Sequence, residues 1–277
     1  MQRQFRQVDV FTEEPFFGNP VAVVHDADAL TDDDMRRFAS WTNLSETTFL
    51  VRPTNPAADY RVRIFTPARE LPFAGHPTLG TAHAWLEAGG IPAAPDRVVQ
   101  ECGVGLVPVR RVPDGALAFQ APPLIRSGPV DEADLREIAA ELGIVRTDIV
   151  AAQWADNGPG WVAVELSSVD AVLALTPPGV TRDIGVVAGY PPDAQAAFEV
   201  RAFTPLIGGA GEDPVTGSLN ASLAMWLLSA GKATAPYTAS QGTVLGRRGR
   251  VRVTADADGA IWIGGGTLTL ISGTVLL

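Results

Sequence analysis

The segment Tyr60-Arg61-Val62-Arg63-Ile64-Phe65-Thr66-Pro67 returns in kind further along the chain as Phe198-Glu199-Val200-Arg201-Ala202-Phe203-Thr204-Pro205. Both alternate with the period of two that describes a strand, and both stop at a proline, which cannot donate to a sheet. A glycine-containing loop and a glycine–proline turn follow each strand: Gly75-His76-Pro77-Thr78-Leu79-Gly80 in the first case, Gly211-Glu212-Asp213-Pro214-Val215-Thr216-Gly217-Ser218 in the second. Each turn predicts a helix, over about residues 77–88 and 214–230. Pro77 and Pro214 suit the first helical position, where a missing amide hydrogen costs nothing, and Gly89 and Gly231 suit the residue just past the end. The two helices are rich in Ala, Leu and Trp nearly all round, with Glu87 the only carboxylate well inside either, so both are expected to be buried. A buried helix in a strand-rich chain calls for a sheet curved around it, and the twofold repeat predicts two such units.

Other segments fill in the plan. A helix is predicted over Asp32–Thr42, where Thr31 can cap, three aspartates occupy the first turn, and Met35, Phe38 and Ala39 share a face. Another is predicted over Glu132–Leu142, with Asp131 as cap, Leu135, Ile138, Ala139 and Leu142 apolar, and Gly143 ending it. Alternating runs at Val104–Val109 and Leu117–Gln120 read as strands, Pro122-Pro123 marks a boundary, and the glycine-rich tail Ile261–Leu277 reads as strand that returns to complete the first unit. The expected fold class is α+β: two similar half-barrels, each a curved, mostly antiparallel sheet around a central buried helix. The first covers residues 1–124, completed by 265–277, and the second 125–264, with an active-site cleft between them.

Composition narrows the chemistry. At 277 residues, 46% hydrophobic, the chain can bury two modest cores. A net charge of -10 and a pI near 4.8 repel phosphate backbones, so nucleic acid is not an expected partner. The N-terminus lacks an apolar signal core and no stretch reaches the roughly 20 apolar residues of a membrane span, so a cytoplasmic protein without a membrane partner is expected. Cys102 is the single cysteine, which excludes an internal disulfide. His25, His76 and His83 form no pair spaced for a metal on one helix face. The single lysine, Lys232, follows Gly231 in a polar stretch, unlike a Schiff-base lysine that needs a desolvated pocket.

The helix starts and one glutamate remain as candidates. A helix N-terminus offers unpaired amides and partial positive charge, so amides around Gly75 and His76 and around Thr216, Gly217 and Ser218 could cradle a carboxylate, with His76, Asp213 and Ser218 adding directional hydrogen bonds. One such turn alone is usually an ordinary cap; a matched pair on repeat-related helices points to a ligand. Glu46, in Asn43-Leu44-Ser45-Glu46-Thr47-Thr48-Phe49-Leu50-Val51, opens an apolar strand. Partial desolvation there would raise its pKa toward that of a general base, while the same placement also fits a solvated strand-edge carboxylate. Arg63 and Arg201 are expected on a solvated strand face, His83 in packing, and Cys102 as a small packing residue. Gly211–Ser218 lacks the Lys-Ser/Thr pair of a phosphate loop.

Four blocks settle the choice for Glu46. Gly18-Asn19-Pro20-Val21-Ala22-Val23, Ser45-Glu46-Thr47-Thr48-Phe49, Gly75-His76-Pro77-Thr78-Leu79-Gly80 and Gly211–Ser218 resemble the signature blocks of the PhzF-like (phenazine biosynthesis) family in its usual order. The resemblance covers nearly the whole chain, including Gln241-Gly242 and Gly246-Arg247 near its end. It implies the diaminopimelate epimerase-like fold, a site at the interface of the two barrels, a homodimer, and neither metal nor organic cofactor. It also implies that Glu46 is the acid–base residue and that His76, Asp213 and Ser218 bind and orient the substrate. Epimerases on the related fold use two cysteines, one from each half; with Cys102 alone, one base working on one face remains, a geometry for isomerisation rather than racemisation.

In the best-characterised activity of that family, trans-2,3-dihydro-3-hydroxyanthranilate is converted to a ketone tautomer. By analogy, Glu46 removes the proton at C3 and returns it at C1, Asp213 engages the amino group, and His76, Ser218 and nearby amides hold the carboxylate and hydroxyl. The expected partner is thus a small-molecule carboxylic acid. Two other functions stay open: an isomerase or epimerase of another small amino or hydroxy acid, and a non-catalytic small-acid-binding protein. Glu46 argues against the last, since binding an acid gains nothing from a buried carboxylate beside it.

Overall fold

The structure, a computed structural model, describes residues 1–112, 115–205 and 211–277; the glycine-containing stretch at 206–210 lies outside the described residues. The chain forms two compact units, Met1–Gln120 with Gly264–Leu277, and Ala121–Ile263. The first contains β1 (Gln2–Val10), β2 (Asn19–Val24), α1 (Asp32–Thr42), β3 (Glu46–Val51), β4 (Tyr60–Phe65), β5 (Glu70–Leu71), α2 (Gly75–Glu87), β6 (Arg97–Cys102), β7 (Gly105–Arg111) and β8 (Leu117–Gln120). The second contains β9 (Arg126–Pro129), α3 (Glu132–Leu142), β10 (Ile149–Asp156), β11 (Val162–Leu166), α4 (Val169–Leu173), β12 (Ile184–Gly189), β13 (Phe198–Phe203), β14 (Glu212–Asp213), α5 (Gly217–Ser229), β15 (Tyr237–Gln241) and β16 (Gly249–Ala255). β17 (Ile261–Gly265) carries the chain back, and β18 (Thr267–Leu276) pairs antiparallel with β1.

The repeat read from two strands extends through the pairing of each unit. From β1 the neighbours run β1–β2 antiparallel, β2–β3 parallel, β3–β4 antiparallel, β4–β6 parallel and β6–β7 antiparallel. From β10 they run β10–β11 antiparallel, β11–β12 parallel, β12–β13 antiparallel, β13–β15 parallel and β15–β16 antiparallel. A parallel pair needs a crossover, and in each unit one crossover carries the central helix, α2 between β4 and β6 and α5 between β13 and β15. The fold is α+β, with half-barrels of this kind.

Both central helices are buried on nearly every side, as their composition requires. Leu79, Thr81, Ala82 and Ala84 of α2 are fully enclosed, as are Leu219, Ala221, Ser222 and Ala224 of α5. The approach of helix to sheet is close. A Cβ on Gly80 would lie 2.3 Å from Val21 Cγ1, and one on Gly185 of β12 would lie 2.1 Å from Leu219 Cδ1. Outside the sheets, Met35, Phe38 and Ala39 of α1 pack on Val24, Phe49 and Phe65, while Leu135, Ile138, Ala139 and Leu142 of α3 share a cluster with Val162, Val164, Val186 and Phe203. A capping box between Thr31 and Asp34 starts α1, and Asp131 caps α3.

Four expectations are corrected. α2 begins at Gly75, so Pro77 is its third residue, where an amide hydrogen would still have no acceptor within the helix. α5 begins at Gly217, because Thr216 Oγ1 donates to Asp213 Oδ2 at 2.5 Å and closes a turn around Pro214 ahead of the helix. Arg63 and Arg201 are not simply solvated. Helices α1 and α4 cover that face of their strands, so each guanidinium carries its own carboxylate. Arg201 is 3% exposed, binds Glu212 through Nε (2.9 Å) and Nη2 (2.6 Å), and donates Nη1 to the carbonyls of Val172 and Leu175 at the end of α4. Arg63 grips Glu70 in the same way and reaches Asp32 at the start of α1. β7 starts at Gly105 rather than Val104, since Gly103 and Val104 form the two-residue link of the β6–β7 hairpin, with Gly105 at φ +98°.

Among the described residues no helix is long and apolar enough to cross a membrane. The packing at Gly80 yields a stability test. Gly80→Ala forces the new methyl into Val21, and the expected loss is about 1–3 kcal/mol, despite the better helix propensity of alanine. It should be read as a lower urea midpoint with an unchanged slope.

Candidate active site

The first unit places Glu46 against His76. Glu46 opens β3 and lies in parallel register with Val21 of β2, just past Asn19 and Pro20. The Gly18-Asn19-Pro20 turn is held tightly on β1: Gly18 donates its amide to Asp9 Oδ2 at 3.2 Å, and a Cβ at Gly18 would lie 2.2 Å from the Val10 carbonyl. Asn19, fully buried, brings Nδ2 to 3.3 Å from His76 Nδ1, and on its other side His76 Nε2 lies 3.2 Å from Glu46 Oε2. His76 is the second residue of α2, so burial of the helix buries the ring; its side chain is 5% exposed and that of Glu46 15%.

That burial decides the charge. Desolvation lowers the His76 pKa to about 3, against a smaller opposing effect from a hydrogen bond with the Pro20 backbone. The Glu46–His76 contact is therefore made by a neutral imidazole at ordinary pH and is not an ion pair. Asn19 Nδ2 approaches the ring at Nδ1 and Glu46 Oε2 approaches it at Nε2, so the neutral ring lies between an amide and a carboxylate. Around it, the first bond of α2 runs from the Thr78 amide to the Ala74 carbonyl, so the amides of Gly75 and His76 have no acceptor within the helix, and no side chain caps it.

The second unit builds a network around Asp213. Asp213 is 9% exposed and accepts from Thr216 Oγ1; Gln241 Nε2 donates to that hydroxyl at 2.9 Å and to the Asp213 carbonyl at 3.1 Å. Gln241 Oε1 in turn accepts from the Thr216 amide (3.0 Å) and from Asn220 Nδ2 (2.9 Å). Thr216 therefore departs from expectation. Its amide goes to Gln241, its hydroxyl to Asp213 and its carbonyl to Asn220, so it braces the aspartate instead of presenting an amide to a ligand. The first bond of α5 is Asn220 to Thr216, which leaves Gly217 and Ser218 amides without acceptors in the helix. Ser218 is half-buried; its hydroxyl accepts from Trp161 Nε1 at 3.1 Å, and its carbonyl accepts from Asn157 Nδ2 at 2.9 Å.

The structure thus joins Glu46 to His76 in one unit, and Asp213, Thr216, Gly217 and Ser218 in the other. Sequence reasoning missed Asn19, Asn157, Trp161, Asn220 and Gln241. Asn19 and Gln241 carried a signal as members of motif blocks, and Asn220 as a polar residue inside an apolar helix, which has to find partners. Cys102 is buried and its thiol is pushed up, first by desolvation, which fits a packing residue. His83 bridges Thr267 (2.9 Å) and Thr269 (3.1 Å) of β18, a structural role. Among the described residues no cluster of three or more His, Cys, Asp or Glu side chains could hold a metal ion.

Two half-barrels, each built on a buried central helix, define the class of fold to which isomerases of one family belong. The chain belongs to the phenazine biosynthesis-like (PhzC-PhzF) family, whose model matches residues 8–273, and it is an isomerase of that family. It is 38% identical over 269 residues to the trans-2,3-dihydro-3-hydroxyanthranilate isomerase of Pseudomonas aeruginosa, covering 91% of this chain and 90% of that one. It is 36% identical over 293 residues, 98% of each chain, to a Schizosaccharomyces pombe protein called antisense-enhancing sequence 1. Among solved structures it is similar to the Bacillus anthracis phenazine biosynthesis protein of the PhzF family, with a TM-score of 0.83, 24% identity and 100% coverage of both chains.

Two buried histidines make stability fall in acid. His76 is held to about 3, and His25, 6% exposed, to about 4, first by burial and next by the Arg6 guanidinium, whose Nη1 lies 3.0 Å from His25 Nε2. Both pKa values lie below the unfolded value near 6.5. The unfolded chain therefore binds more protons, and stability drops as pH falls below 6.5, by up to about 1.4 kcal/mol per pH unit for each ring. Urea unfolding between pH 7 and 4.5 should show this slope, and His25→Asn should remove close to one proton from it. An unchanged slope in that variant would contradict a neutral His25.

Proposed function

We propose that this chain moves a proton between two carbons of a small cyclic amino or hydroxy carboxylic acid, in the manner of a trans-2,3-dihydro-3-hydroxyanthranilate isomerase, with Glu46 as the base. The observation that carries the reading is the largely buried Glu46 carboxylate 3.2 Å from an imidazole that stays neutral. A cationic neighbour would stabilise the carboxylate and make it a weaker base; a neutral imidazole packed against it does not. The similarity to the Pseudomonas aeruginosa isomerase supports the choice of substrate class.

In this reading ionised Glu46 takes the proton from C3 of the ring, the double bonds shift, and the same carboxyl group returns the proton at C1, leaving an enol that becomes the ketone. Nothing is oxidised or reduced and no atom is gained or lost. Asp213, kept an acceptor by the Thr216 hydroxyl and Gln241, engages the substrate amino group. Ser218, His76 and the amides of Gly75 and Gly217 hold the carboxylate and hydroxyl, where donors at two helix starts stabilise negative charge. On the same reading the protein works in the cytoplasm as a homodimer, which sedimentation at micromolar concentration tests.

Heavy water distinguishes this function from its rivals. The enzyme incubated with trans-2,3-dihydro-3-hydroxyanthranilate should give product labelled at C1, whereas a label in another amino or hydroxy acid identifies a different substrate, and binding without exchange identifies a binding protein. Glu46→Gln should lower turnover by roughly 10²–10⁴-fold while affinity stays within a few-fold; full turnover in that variant would remove Glu46 as the base. The neutral state of His76 adds a second expectation. Its ionisation should be missing from the pH–rate profile between pH 5 and 8, so His76→Asn should lower the curve without shifting its inflections.

A further inference from the structure

The loop that precedes β11 points its side chains at one residue, Ser218. Asp156 Oδ1 accepts the amides of Gly158 and Gly160, both at 2.7 Å, and the Ala155 amide bonds the Trp161 carbonyl at 3.0 Å, so the loop is pinned at both ends. From it, Trp161, 3% exposed, donates its indole N–H to Ser218 Oγ, while Asn157 donates its side-chain amide to the Ser218 carbonyl. Two side chains of one braced loop thus hold the second residue of α5 from both of its oxygens.

The bond from Trp161 has a direction. An indole N–H can only donate, and a serine hydroxyl has one proton and two acceptor sites. With the indole on one acceptor site, the Ser218 proton is turned away from Trp161, and among the described residues no acceptor takes it. We infer that Trp161 is a positioning residue that fixes Ser218 as a hydrogen-bond donor, so that this corner of the second unit selects an acceptor oxygen, the substrate carboxylate, over an amino group. The inference rests on the proposed reaction for its ligand but not for its geometry. It divides recognition between two side chains of opposite polarity: Asp213 takes the substrate's N–H groups and Ser218 its carboxylate. A free serine could serve either group by rotating; the indole takes one of its two acceptor sites and so tilts the balance toward donation.

The test uses binding of 3-hydroxyanthranilate, the aromatic counterpart of the dihydro acid, so that it does not depend on turnover. Ser218→Ala should weaken binding roughly 10–150-fold, as expected for loss of a hydrogen bond to a charged group. Trp161→Phe, which keeps an aromatic ring and loses the N–H, should weaken it about 3–10-fold, and the double variant should bind no worse than Ser218→Ala alone, because the indole acts through the hydroxyl. A control ligand without the carboxylate, 2-aminophenol, should bind wild type and Trp161→Phe alike. Independent, additive losses, equal losses for both ligands, or no binding of 3-hydroxyanthranilate by wild type would overturn the assignment.

Should Trp161→Phe not fold, nitrogen-15 spectra of wild type and Ser218→Ala decide the matter. One indole N–H resonance should shift in the variant, and that same resonance should move when wild type is titrated with 3-hydroxyanthranilate; an indole insensitive to either change would overturn the assignment. Binding with this pattern but without solvent exchange would end the proposed reaction and leave the role of Trp161 standing. Exchange with an additive cycle would do the reverse.

Discussion

Burial of a helix on all sides is the constraint from which the rest of each unit follows. An isolated helix of this composition has no polar face to give to water, and only a sheet wrapped around it can remove that much apolar surface. Enclosure in turn forces small residues at the closest approaches, Gly80 under Val21 and Gly185 under Leu219. It also raises the stakes for every polar group in the first turn, because an unsatisfied buried donor costs about 1–3 kcal/mol. The chain answers with buried glutamines from the strand after each helix: Gln100 donates to Thr78 Oγ1 at 2.9 Å, and Gln241 holds Thr216 and Asn220.

The repeat is a repeat of packing, and the chemistry laid on it differs between the units. Arg63 with Glu70 and Arg201 with Glu212 are the same device at the same strand position, a guanidinium fixed by a carboxylate from the short strand alongside. At the start of the central helix the resemblance stops. Where α2 carries His76 as its second residue, α5 carries Ser218. The first unit supplies a carboxylate beside a neutral ring, suited to moving a proton. The second supplies an aspartate braced by Thr216 and Gln241 and a serine hydroxyl that accepts from Trp161.

Electrostatics favour that division. The polar groups beside the helix starts are held by neighbours that carry no charge. Burial keeps His76 uncharged, and a hydroxyl and an amide fix the orientation of Asp213. A neutral ring beside Glu46 adds no charge to its surroundings, and the Asp213 network needs little reorganisation around it.

Much of the fold was legible because it is written in local pattern. Alternation marked β4 and β13, composition marked α2 and α5, and caps set the limits of α1 and α3, so even their end residues agreed with the structure. The site was legible only in part. Glu46, His76, Asp213 and Ser218 stand in motif blocks, but sequence could not tell that Glu46 faces His76, that Thr216 spends its amide on Gln241, that Arg201 is buried, or that Trp161 reaches Ser218. Each of these joins residues from separate elements, and a hydrogen bond across such a distance is fixed by how strands are ordered and how far a helix sinks into its sheet. The amino acids by themselves determined which segments must be buried and which side chains had chemistry to offer. Tertiary packing decided which of those side chains meet, and through desolvation, which of them carry charge.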